Sequence, residues 1–309
     1  MSSRFVLGAF ALFALAAPEV ALAHGDEVPV SKLGAAWSAE PLVLAAAVVA
    51  LVLFGQAFVR LRRRGRLDHA GSGRAVFYLL GVGVVTLALV SPLDAIGEEY
   101  LLSGHMLQHV LIGDLGPALI LVAVRGPLVF FLLPQGVLRA LARLAWLRSG
   151  ASALVRPPVA LSLWALVFAA WHVPAAYGAT LSNRALHDLE HATFVVAGIL
   201  VWNLLADPTR RSELSIRGRL AATVGLFAAG QLLAYVLVFS FDPLYADYAA
   251  QDERLLDLSP LMDQRLAGVV MMVEQLVTLG TCAALLLRSW RRGQVEPLAR
   301  RGLSPQPRT

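Results

Sequence analysis

PLVLAAAVVALVLFGQAFVRLRRRGR, residues 41–66, decides the architecture. Residues 41–59 carry no charge, and Arg60, Arg62, Arg63, Arg64 and Arg66 follow at once. About 20 apolar residues in a helix cross a hydrocarbon core of ~30 Å, so this is one span ending in a basic loop. The pattern recurs at 75–91, 106–124, 157–176, 186–205, 219–240 and 265–288, which with 41–60 makes seven spans. A hydrophobic fraction of 58%, only 15% charged residues and a mean hydropathy of +0.67 fall outside the range of soluble domains. Backbone groups in lipid must be satisfied internally, and stretches of this length suit helices rather than the short alternating strands of a barrel. The expected fold is all-α, a polytopic membrane bundle of seven transmembrane helices.

Residues 1–23 read as a signal peptide: Arg4 supplies the charged start, Phe5 to Ala17 the apolar run, and Ala21-Leu22-Ala23 a small-x-small cleavage site. A short periplasmic segment (24–40) would then lead into the membrane domain (41–292), with 293–309 as a disordered cytoplasmic tail rich in Arg, Pro and Gly. Sidedness follows the arginines, which mark cytoplasmic loops. They cluster at 60–74, at 125–156, at 206–219 and after Arg288, whereas the alternate loops are acidic, with Asp94, Glu98 and Glu99 in one and Asp242, Asp247, Asp257 and Asp263 in another. The N-terminus is expected outside and the C-terminus inside. The net charge of +5 is mostly this topological signal and not a nucleic-acid surface, because the basic residues are divided among separate loops. Cys282 is the sole cysteine, so an intramolecular disulfide and a CxxC metal motif are both excluded.

Five of the seven histidines then fall at one level. His105 and His109 lie one turn apart at the outer end of the third span, His187 and His191 repeat the spacing at the outer end of the fifth, and His172 closes the fourth. Met271 in the seventh span and Met106 beside His105 add thioether groups. Imidazole and thioether without thiolate suit copper, whereas zinc usually recruits cysteine or a carboxylate as well. Asp94, Asp188 and Asp263 stand where carboxylates could orient the imidazoles, and Gln264 shares the Met271 face. Asp114 and Glu274 fall near the bilayer midplane, where an ionisable group is costly and points to function. On a regular helix Asp114 is about 140° around from His109, off the histidine face. A mature terminus at His24 would offer one further copper ligand. The string His187-Asp188-Leu189-Glu190-His191 also matches the H-x-x-E-H pattern of zinc peptidases, and imidazoles from opposing helices could serve as axial ligands of a haem.

Ser91-Pro92-Leu93-Asp94, His105-Met106-x-Gln108-His109, Trp171-His172-Val173-Pro174, His187-x-x-x-His191 and Asp263-Gln264, in that order over roughly residues 90–280, resemble the seven-helix cytochrome c oxidase assembly factors of the CtaG type associated with caa-type oxidases. These are distinct from the single-span periplasmic copper chaperones that share the name. The resemblance implies a bacterial plasma-membrane protein that helps mature the oxidase without catalytic turnover. It would take copper from a periplasmic donor and pass it to oxidase subunits. Onto this chain it carries His105, His109, His172, His187 and His191 as metal-site residues, with Met106 and Asp263 beside them. A haem carrier and an intramembrane zinc metallopeptidase remain the alternatives.

Overall fold

The computed structural model describes residues 28–300 apart from 211 and 252, with side chains as far as 293. The expected signal peptide (1–23) and His24 lie outside the described residues, as do residues 301–309. Ten helices matter here: α1 (Pro41–Arg63), α2 (Ser72–Val90), α3 (Leu102–Ala123), α4 (Gln135–Arg143), α5 (Ala145–Leu154), α6 (Pro157–Trp171), α7 (Pro174–Leu181), α8 (Arg184–Ala206), α9 (Ile216–Phe239) and α10 (Pro260–Arg300). No strand occurs among the described residues.

Local chemistry sets the ends of these helices. α1, α6 and α7 each open on a proline, whose fixed φ suits the first turn and whose missing N–H is not needed there. Asn183 and Ser215 cap α8 and α9 by accepting the Leu186 and Gly218 amides. Arg60, Arg62 and Arg63 fill the last turn of α1, where the helix dipole favours cations.

Six helices, α1, α2, α3, α8, α9 and α10, are long and apolar enough to cross a membrane. A seventh crossing results if α5 and α6 count as one span, and the two are bent by 72°. The fourth expected span is thus broken. Its helix stops at Trp171, and Pro174 starts a new one, because proline cannot continue the hydrogen-bond ladder. The chain is a multi-span helical membrane protein.

Burial orders the bundle. Two thirds of the apolar window of α8 is covered by protein, against 11% for α1, so α8 is the central helix and α1 a peripheral one facing lipid. α1 is attached through Phe54, whose ring stacks on Tyr78 of α2 at 4.0 Å. Around α8 stand α3 and α6, and α10 packs along both α9 and α3. At one end arginines close the bundle: Arg74 donates to the Arg125 carbonyl at 2.5 Å, and Arg219 donates to the Leu205 carbonyl at 2.9 Å and forms an ion pair with Asp207 at 3.7 Å. The histidines occupy the opposite end.

The tightest approach joins α3 to α8. A Cβ on Gly198 would lie 2.0 Å from the Gly113 carbonyl oxygen, so only glycine allows the two backbones this close. Gly198→Ala should therefore destabilise the protein by at least ~1–3 kcal/mol, whereas Gly83→Ala, with nothing within 4 Å of its Cβ, should be neutral or slightly stabilising. Thermal unfolding of the two variants in detergent distinguishes them, and equal midpoints would contradict the packing.

Candidate metal centre

Helix α3 carries His105 and His109 on a first turn capped from elsewhere in the chain. Asp263, at the start of α10, accepts the Leu102 amide at 2.7 Å, the Ser103 amide at 3.1 Å and the Ser103 hydroxyl at 2.5 Å. A carboxylate at a helix N-terminus satisfies orphan donors and complements the dipole. This fixes the α3 terminus against α10 and so sets the height of His105.

The i, i+4 pairs then meet across the α3–α8 contact. Ring centroids are 4.3 Å apart for His105 and His109, 4.1 Å for His187 and His191, 5.4 Å for His105 and His187, and 5.5 Å for His109 and His191. All four rings are buried, His105 completely. Glu190, which the H-x-x-E-H string had marked only for a peptidase role, enters the cluster. Its carboxylate is fully buried, 3.6 Å from His105 Nε2 and 3.6 Å from His109 Nε2. Ligating atoms of His105, His109 and His191 lie within 4.8 Å of one another, as do those of His105, His187 and Glu190, and those of Asp94, His187 and His191. A tetrahedral ion with bonds of about 2.1 Å needs ligand separations of about 3.4 Å, so small side-chain movements would close the site.

A hydrogen-bond chain fixes how His105 presents itself. The Tyr248 hydroxyl donates to the Gly97 carbonyl at 2.5 Å and lies 3.3 Å from His105 Nδ1 and 3.0 Å from the Tyr177 hydroxyl. A hydroxyl has one proton, and Gly97 takes it, so Tyr248 accepts from His105 Nδ1–H and from Tyr177. Burial pushes the Tyr248 phenol well above its ordinary value, so it stays neutral. The lone pair of His105 is thereby placed on Nε2, facing Glu190. Asp94 accepts from Gln108 at 2.5 Å, and burial pushes its carboxyl up to about 6 against that hydrogen bond. No sequence pattern marked Tyr177 or Tyr248. Tyr248 comes from the acidic loop between α9 and α10, whose path over the histidine end only the folded chain reveals.

Other expected members lie elsewhere. His172 is buried but joins none of the ligand triads; its Nδ1 donates to the Phe168 carbonyl at 2.7 Å, and its ring rests on Phe168. Met106 and Met271 sit in an apolar cluster with Leu102, Tyr177 and Tyr248, which suits their flexible thioethers. Asp188 faces away and pairs with Arg184 at 3.4 Å, half exposed, so it does not orient an imidazole. Asp263 is a helix cap, and Gln264 ties α10 to the loop by accepting the Leu244 amide at 2.6 Å and donating to the Leu237 carbonyl at 3.2 Å. His69, outside the cluster, lies 3.0 Å from Asp68.

Beneath the histidines a cavity of about 50 Å³ is lined by His109, His172 and Met271 and, deeper, by Asp114, Glu274 and Trp202. Asp114 reaches it because α3 widens over Leu111–Leu115 into a π-type turn. A turn closed by i→i+5 bonds advances less per residue than the about 100° of an α-helix, which swings Asp114 towards the face that His109 occupies. The angular separation expected for a regular helix therefore does not hold.

A multi-span helical bundle with a buried histidine and carboxylate cluster at one end is the class of protein defined so far. A model of the family described as cytochrome c oxidase caa3 assembly factor (Caa3_CtaG) matches residues 52–293, and the chain belongs to that family. No curated protein and no solved structure matches it. The matched segment runs from α1 to α10 and contains every histidine of the cluster.

The reassignment of the two aspartates can be measured. Asp263→Ala leaves the α3 amides uncapped and should destabilise the protein by about 1–3 kcal/mol, while Asp188→Ala should change stability by less than ~0.5 kcal/mol, as expected for an exposed pair. Thermal melts showing the reverse order would contradict the assignment.

Proposed function

We propose that the chain takes part in oxidase assembly by binding copper at the His105, His109, His187, His191 and Glu190 centre and releasing it to an oxidase subunit. The centre would face the periplasm, in keeping with the arginine loops at the opposite end. One observation carries this reading. His105 Nε2, both ring nitrogens of His109, His191 Nε2 and both oxygens of Glu190 are buried without a hydrogen-bond partner. Buried polar atoms are nearly always satisfied, and an orphan set gathered in overlapping ligand triads is what a metal ion would satisfy.

The donor set favours the oxidised ion. With Met106 and Met271 held in the apolar cluster, imidazole and carboxylate remain, which suit cupric copper better than cuprous. Tyr248, Gly97 and Gln108 would hold ligand orientations, a role in which outer partners commonly matter 10–100-fold. Ligand exchange from imidazoles to a client subunit suffices for transfer, with no covalent step.

The zinc peptidase reading gains something from Glu190, because zinc accepts the same donors and the glutamate could polarise water. In the arrangement here Glu190 contacts two histidines of α3, a ligand-like position, so its loss should weaken metal binding rather than spare it. The haem reading is less well supported: four rings packed 4.1–5.9 Å apart and an adjoining cavity of about 50 Å³ leave no slot for a porphyrin.

Metal analysis and an optical spectrum of detergent-purified protein test this. Near-stoichiometric copper is expected in wild type and none in His109→Ala/His191→Ala, with a deletion strain regaining oxidase activity from wild type alone. Zinc in place of copper, a Soret band, or no metal would overturn the reading. Tyr248→Phe should lower copper affinity about 10–100-fold while leaving the fold intact; unchanged affinity would remove the tautomer argument.

A further inference from the structure

Asp114 of α3 and Glu274 of α10 line one cavity well inside the bundle and meet at Thr278, whose hydroxyl bonds both the Asp114 carboxyl and the Glu274 backbone carbonyl. Both oxygens of Asp114 are served: Trp202 Nε1 donates to one and the Thr278 hydroxyl donates to the other at 3.0 Å. Neither carboxyl oxygen of Glu274 receives a hydrogen bond from a donor side chain. The single proton of Thr278 is shared between Asp114 at 3.0 Å and the Glu274 backbone carbonyl at 3.1 Å, and none of it reaches the Glu274 carboxyl. Among the described residues no basic side chain pairs with either carboxyl.

Two neighbouring carboxyls in a low-dielectric interior cannot both be ionised. The arrangement also distinguishes them. Asp114, with Trp202 and a share of Thr278 aimed at it, is the better stabilised anion, and Glu274, whose carboxyl receives no donor, is the one built to carry the proton.

A route to the pair exists on one side only. The cavity that both carboxyls line also reaches His109 and His172, and His172 Nε2 is buried there without a partner. One water needs ~10–15 Å³ of such space, so about 50 Å³ accommodates a short water chain between His172 and the carboxyls. On the other side Cys282 lies beside Thr223, Sγ to Oγ1 3.9 Å, and beyond it Arg219, engaged by Asp207 and the Leu205 carbonyl, and Arg125 stand at the arginine end. Those guanidinium groups repel a cation coming from that side.

We propose that Asp114 and Glu274 form a proton-binding site halfway through the membrane, holding one shared proton that exchanges with the histidine side through the cavity. The site is independent of the metal centre, since neither carboxyl belongs to a ligand triad. It gives the chain a charge that can be gained or lost deep in the bilayer.

Infrared spectra of purified protein, recorded from about pH 5 to about pH 9, read the proton directly. Wild type should show the C=O stretch of a protonated carboxyl at neutral pH, moving to lower frequency within minutes in D2O. Glu274→Gln, isosteric and uncharged, should abolish the band; Asp114→Asn should keep it at a changed frequency, because its neighbour has changed. His109→Ala/His191→Ala should retain it, which separates this site from the metal reading. Ala197→Leu, which narrows the cavity, should slow the D2O shift severalfold. No protonated band at neutral pH, a band surviving Glu274→Gln, or a band removed by sodium chloride would overturn the proposal, the last by making a metal cation the occupant. A band that never exchanges in D2O would overturn the route.

Discussion

The histidine end depends on how closely two backbones approach. Gly198 of α8 meets the Gly113 carbonyl of α3 where a Cβ on Gly198 would collide, and the histidine pairs sit about one to three turns from that contact towards the same end. Moving the helices apart by a methyl group would separate rings that now stand 5.4 and 5.5 Å apart across the contact. Asp263 fixes the remaining freedom, sliding along the axis, by binding the α3 terminus to α10. In a bilayer there is little hydrophobic force between helices, so close packing and hydrogen bonds of this kind set the geometry.

The same accounting explains which polar groups are structural. The Gln108 amide group donates to Asp94, Gln264 serves the Leu244 amide and Leu237 carbonyl, and Gln231 meets Gln275 at 3.4 Å, as groups removed from water tend to pair. Against that background the unsatisfied atoms of His105, His109, His191 and Glu190 are an exception concentrated in one place. Each unsatisfied buried group calls for a physical account, and a bound ligand is one that serves several of them at once.

Much of this was legible in the chain. Apolar length gave the helices, and the i, i+4 spacing put each histidine pair on one face, because both depend only on local periodicity. The common depth of the pairs followed from counting residues. What did not follow was anything set by rotation or by loops. Asp114 joined the histidine face through the wide turn at Leu111–Leu115, which no propensity announces. Asp188 and Glu190 stand two residues apart on α8, and only the bundle decides that Glu190 turns inward while Asp188 meets Arg184. His172 was expected at the same depth and is, yet the break between Trp171 and Pro174 sets it against Phe168 rather than among the other four. The methionines matched copper chemistry by composition; in the bundle they pack in an apolar cluster and also line the cavity beside His109 and His172.

The shortness of α6 has an effect on the bilayer itself. Fifteen residues rise only about 22 Å, against ~30 Å for the hydrocarbon core. A helix too short for its membrane makes the lipid thin around it or draws water down to its end. At that end stand Trp171 and His172, covered by α7 and by Tyr245, whose hydroxyl donates to the His172 carbonyl at 3.1 Å. The eight residues of α7 rise only about 12 Å and pack on α8 instead of continuing α6, so beside this helix it is the lipid that must adapt its thickness.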